Sequence, residues 1–146
     1  MTNTFLSRIA MAALLALAVV PAQGAEPPRS WIDPDTGHRI VRLTEEPNSA
    51  SLYFNQNGYT ADGRKMVYTT PEGISALDLA TRTAKPVVKG RVQVIVTGHQ
   101  TPNVYYRKGD EIYSTNVDTL ETRLLGKLPV RGSVDTVNAG ETLLAQ

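Results

Sequence analysis

Apolar and polar positions follow two different patterns along this chain of 146 residues. The first is one unbroken apolar run, Ile9–Val20, entered from Arg8 and left through Pro21. Ala22-Gln23-Gly24 follow, so residues 1–24 show the order of a removable export signal: short polar start, apolar core, small residues at the cleavage point. Twelve apolar residues at 1.5 Å each fall short of the ~30 Å core of a bilayer. The segment 25–30 is charged and Pro-rich, through Glu26, Pro27, Pro28 and Arg29. The expectation is a helical leader, a linker, and an exported mature chain, periplasmic or secreted, with no stable membrane anchor. An uncleaved N-terminal anchor is the alternative.

From Trp31 onward the pattern changes to short apolar runs broken by turn residues every 8–12 positions, which is the spacing of an all-β protein. Tyr53–Thr60, Lys65–Thr70, Ile74–Leu79 and Lys85–Val88 read as four strands. Ala61-Asp62-Gly63, Pro71-Glu72-Gly73 and Ala80-Thr81-Arg82 supply the turns between them. The pattern then returns at an offset of 38 residues. Met66-Val67-Tyr68, Ile74 and Asp78-Leu79 match Val104-Tyr105-Tyr106, Ile112 and Asn116-Val117. Arg91–Val96, Asn103–Arg107, Glu111–Val117 and Arg123–Leu125 form the second set of strands. A third copy opens at Val134–Asn138 and runs to Leu143-Leu144.

A unit of about 38 residues with four short strands has the size of a propeller blade, which cannot bury both its faces alone and stacks on its neighbours. Alternation in the second innermost strand puts Val92, Val94 and Val96 on one face, with Gln93 and Ile95 on the other. Asp33-Pro34-Asp35-Thr36-Gly37, leading into Arg39–Leu43, parallels the last turn and strand of such a blade. The fold expected is therefore an all-β partial β-propeller. It comprises an orphan N-terminal strand, blades at about 51–88 and 91–126, and an incomplete third at 130–146, making the chain the opening third of a larger protein.

Composition narrows the chemistry. The formal charge is +1, and Arg8 is the only charge before position 25, so the mature chain is neutral. Bulk charge therefore gives no grip on nucleic acid or an anionic membrane. The chain has no Cys, which excludes disulfides and a thiol nucleophile and suits a bacterial periplasm, where disulfides are permitted but not required. His38 and His99 stand 61 positions apart, each in a turn, where an exposed non-catalytic role is expected. The polar side chains on the mouth side of the blades, where loops enter, are the candidates for ligand contact. These are Arg91 first, with Asn55, Gln56 and Gln93; Asn48, Ser49, Ser51 and Arg107-Lys108 lie near the same side.

Trp31–Thr44 and Ser51–Met66 resemble the leading segment of the oligogalacturonate lyases, most specifically in Tyr53-Phe54, Tyr59-Thr60 and the Asp62-Gly63 turn. The resemblance implies a seven-bladed propeller that cuts pectin-derived oligogalacturonate by β-elimination. In such enzymes a His base removes a proton beside the uronate carboxylate, an Arg assists, and a His cluster with a Gln holds a divalent metal such as manganese. No position of this chain matches those residues, so it is expected to hold no catalytic or metal-ligating residue and to rely on later blades of the same protein. Two readings stand beside this one: a non-enzymatic periplasmic propeller that docks other proteins, and a chain that closes a ring as a trimer of itself.

Overall fold

The computed structural model describes residues 28–54, 56–128 and 133–145. The expected leader lies outside these residues, as do Asn55 and positions 129–132.

Twelve strands are described: β1 (Ser30–Ile32), β2 (Arg39–Val41), β3 (Ala50–Ser51), β4 (Lys65–Thr70), β5 (Gly73–Asp78), β6 (Thr83–Lys89), β7 (Gln93–Thr97), β8 (Asn103–Lys108), β9 (Glu111–Asn116), β10 (Thr122–Lys127), β11 (Thr136–Val137) and β12 (Leu144–Ala145). They form two four-stranded antiparallel sheets, β3-β4-β5-β6 and β7-β8-β9-β10, and two hairpins, β1-β2 and β11-β12. The repeat is visible in the pairing: Lys65 faces Asp78 as Asn103 faces Asn116, again 38 residues apart. The fold is an all-β partial propeller.

One turn recurs three times and shows how the sequence sets the outer hairpin of each unit. Asp33, Asp78 and Asn116 each stand just before a turn, where the side-chain oxygens accept backbone N–H groups. Asp78 takes those of Ala80 and Thr81 at 3.0 and 2.8 Å, and Asn116 those of Asp118 and Thr119 at 2.9 and 3.0 Å. Asp33 takes the N–H of Asp35 and the hydroxyl of Thr36. Four residues on, Gly37, Arg82 and Leu120 adopt positive φ, and their N–H groups return to the starting carbonyls at 2.8–2.9 Å. These are the Asx-type turns expected of such residues. The β1-β2 segment is therefore the outer hairpin of a blade. The strand expected to be an orphan pairs with Ser30–Ile32, and Ser30, expected in a linker, begins β1.

The core lies between units. Val67, Ile74 and Ala76 of the first sheet bury against Val94, Val104, Tyr106 and Val117 of the second. The opposite face of the second sheet, with Ile95, Val96, Tyr105 and Ile112, buries Val134 and Val137. Alternation along β8 places Val104 and Tyr106 on one face and Tyr105 on the other. Val96 does not share the face of Val94: a bulge at Ile95 shifts the register between them and turns Val96 toward the third unit.

A second correction concerns the first innermost strand. Tyr53–Thr60 is not continuous: Ser51 pairs with Tyr68 and Tyr59 with Met66, so residues 52–58 stand opposite the single residue Val67. The chain leaves the sheet after β3 and rejoins it at Gly58, whose carbonyl accepts the N–H of Val67 at 2.7 Å.

Glu141 clasps the third unit to the second. Its carboxylate accepts the N–H groups of Gln100 and Thr101 at 2.6 and 3.0 Å, the Thr101 hydroxyl, and the Tyr105 hydroxyl at 2.7 Å. The fit is close, since a Cβ on Gly98 would lie 2.6 Å from the Thr101 carbonyl and 2.8 Å from Glu141 Oε1. Burial pushes the Glu141 carboxyl up, but the hydrogen bonds from Thr101, Gln100 and Tyr105 outweigh it and hold the group below its ordinary value of 4.5. A depressed carboxylate stabilises the fold above the unfolded value and loses that contribution as pH falls through the folded one. The amide protons of Gln100 and Thr101 should therefore titrate together below pH 4.5, and Glu141→Gln should abolish that transition; a midpoint above 4.5 would contradict the clasp.

Candidate substrate-binding rim

The chain enters the second sheet through Gly90 and Arg91. Gly90 adopts φ of 93°, and its N–H donates to the Glu72 carbonyl at 2.8 Å. This bond fixes where Arg91 emerges. Gln93, the first residue of β7, sits in register with Arg107 near the end of β8. Arg91, Val92, Gln93, Arg107 and Gly109 together line a shallow open depression of about 580 Å3. Arg107 is oriented by donating its Nε–H to the Gly109 carbonyl. Arg91 and Gln93 are exposed, and Lys108 stands exposed beside them.

The carboxylates nearest this rim have partners of their own, and Asp110 also feels the charge of Arg107. Asp110 pairs with Lys127 at 2.9 Å, and that bond holds its carboxyl below the ordinary range. Glu111 accepts the Tyr113 hydroxyl at 2.6 Å. The rim thus presents the exposed Arg91 guanidinium to solvent. A planar guanidinium binds a carboxylate through two parallel N–H···O bonds, which a lysine cannot do.

The structure separates the residues expected from the sequence. Arg91 and Gln93 stand together at the rim, and Arg107 joins them. Gln56 is committed to the fold: its Oε1 accepts the Tyr53 N–H at 3.0 Å and its Nε2 donates to the Val94 carbonyl at 3.2 Å. Asn55 lies outside the described residues. Ser49 is hydrogen-bonded to Thr44 at 2.9 Å, and Asn48 shapes a turn with φ of 59°. His38 and His99 are both exposed in turns, His99 at the β7–β8 turn on the opposite end of the sheet from Arg91.

The pattern of strands hid one feature of this region. Tyr53 and Phe54 lie in the break of the first innermost strand and are 66% and 86% exposed, with ring centroids 4.5 Å apart. Read as part of a strand, they would have one face in the core. The polar run Asn55-Gln56-Asn57-Gly58 directly after them is the sequence signal that the strand is interrupted.

No family model matches the chain, and neither does any curated protein. Solved structures do. An oligogalacturonate lyase in complex with manganese superposes with a TM-score of 0.67 at 25% identity, over 79% of this chain and 34% of the other. The oligogalacturonate lyase of Vibrio parahaemolyticus gives 0.57 at 23% identity, over 68% and 29%. The second likeness supports the propeller fold alone. The chain spans about a third of the length of these structures. Among the described residues no group of three or more His, Cys, Asp or Glu is placed to hold a metal ion, so the manganese of the first structure finds no fitting site in them. In its fold, and over about a third of such a protein's length, the chain is similar to the oligogalacturonate lyases.

Proposed function

We propose that this chain is the N-terminal, substrate-contacting segment of an exported enzyme of the oligogalacturonate-lyase type. The observation that carries the reading is the rim at the start of β7, where Arg91 and Arg107 flank an open depression. Oligogalacturonate is a polyanion with one carboxylate per sugar, and a pair of guanidiniums beside an amide side chain, Gln93, matches a carboxylate flanked by hydroxyls. The chemistry of β-elimination belongs, on this reading, to blades beyond the described strands, because no residue here matches the family's base or metal ligands.

Calorimetric titration of the full chain with trigalacturonate and with neutral galactotriose tests it. Trigalacturonate should bind more tightly, with an affinity that falls as salt rises, and Arg91→Gln should weaken it about tenfold or more while leaving galactotriose unaffected. Equal binding of the two sugars, or an unchanged Arg91→Gln variant, would overturn the assignment. Bound trigalacturonate should also stay intact: with manganese added, the near-ultraviolet absorbance of a 4,5-unsaturated uronate should not appear. Its appearance would place the lyase chemistry within this chain.

A further inference from the structure

We propose that Tyr53 and Phe54 form a stacking platform for a pyranose ring, adjoining the Arg91 rim. This inference rests on the reading of the rim as a uronate site and adds to it the surface that takes the sugar's apolar face.

Three observations carry it. The first is exposure. Two adjacent aromatic side chains stand in solvent in contact with one another, tilted by 49°, at 66% and 86% exposure against 50% for Tyr59 and 39% for Trp31. Such surface is costly to leave wet unless something covers it. The second is geometry. The segment that carries the pair is extra to the repeat: residues 52–58 stand opposite Val67, where the same place in the second sheet has two residues, Ile95 and Val96, opposite Tyr105. The third is that the segment is pinned. Gln56 donates its N–H to the Tyr53 carbonyl at 2.8 Å and returns its side chain to the Tyr53 N–H, while its Nε2 reaches the Val94 carbonyl on β7. The Asn57 carbonyl accepts the N–H of Thr97 at 3.1 Å. The bond to Val94 ties the loop to the residue next to Gln93, so platform and rim share β7.

The combination fits one ligand chemistry. A galacturonate residue has a face of C–H bonds that stacks on an aromatic ring and a carboxylate that suits a guanidinium fork. A neutral galactoside offers the first alone, and an acidic peptide offers the second without the flat ring face. Holding the rings in advance lowers the ordering cost of binding, because Gln56 has already fixed the loop.

The test uses the full chain, trigalacturonate and galactotriose, followed by aromatic proton NMR together with titration. The Tyr53 and Phe54 ring resonances should shift with both sugars. Tyr53→Ala combined with Phe54→Ala should weaken both about tenfold with no change in the salt dependence of trigalacturonate binding. Tyr53→Phe should retain affinity, as a stacking surface requires. If trigalacturonate binds through Arg91 while the rings do not shift and the double variant binds normally, the platform is wrong and the uronate rim stands. If both sugars shift the rings and Arg91→Gln changes nothing, the rim is wrong and the platform stands. If neither sugar binds, both are wrong.

Discussion

Gly73→Ala should destabilise the chain by about 3 kcal/mol or more, the largest effect expected of any single methyl group added here. Gly73 opens β5 with φ of 137°, a region that L side chains rarely adopt. A Cβ at that position would lie 2.1 Å from the Val88 carbonyl oxygen and 3.1 Å from that of Gly90. Both obstacles are backbone, so no side-chain rotation relieves them, and the β5–β6 pairing of Gly73 with Lys89 would have to open. The consequence reaches the candidate site, because Gly90 anchors the entry to Arg91. The loss should show in thermal or urea unfolding, and Gly109→Ala supplies the control. Gly109 also has positive φ, at 66°, but nothing lies within 4 Å of its added Cβ, so only the conformational cost of about 1 kcal/mol applies. Equal losses at the two glycines would show that the close approach at Val88 is not what fixes Gly73.

Ile112→Ala should cost about 2–5 kcal/mol, and Ile112→Val about 0.5–1.5. Ile112 is 1% exposed and sits on the face of the second sheet that buries Val134 and Val137. Removing its outer carbons leaves a cavity that β9, held between β8 and β10, is poorly able to close. Among the described residues the third unit has only the two-residue strands β11 and β12 and therefore depends on this face and on the Glu141 clasp. Denaturant unfolding of the two variants should give losses in that order. A further readout is the Thr101 amide proton, which should lose its Glu141 hydrogen bond in the alanine variant before the first sheet unfolds. An alanine loss below 1 kcal/mol would mean that Val134 and Val137 do not seal this face.

These effects depend on parts of the fold that the sequence disclosed unevenly. Both four-stranded sheets were legible because their turns are written in local chemistry. Asp78-Leu79-Ala80-Thr81 and Asn116-Val117-Asp118-Thr119 place the same acceptor ahead of the same free N–H groups, and the apolar alternation between them keeps one period. The bulge at Ile95 was hidden, since it lies within Val94-Ile95-Val96, where every residue is apolar and a slip of one position leaves no mark. The break between Ser51 and Gly58 was hidden for a related reason. Tyr53, Phe54 and Tyr59 have the composition of a strand, and only their exposure in the fold shows that they are not in one. Arg91 and Gln93 could be placed at the rim from their position ahead of an innermost strand. The commitment of Gln56 to Val94 could not, because the partner is a backbone carbonyl 38 residues away. The Glu141 clasp is illegible in the sequence on the same ground, its partners lying 36–41 residues earlier.

The account stands or falls on where an acidic sugar touches the chain. A 15N-resolved NMR titration with trigalacturonate should move the amide signals of Arg91, Gln93, Arg107 and Gly109, together with those of Tyr53 and Phe54. The opposite end of the sheets, marked by Asp62, His99 and Gln100, should stay still. Shifts centred on that opposite end, or a spectrum that does not move at all, would contradict it.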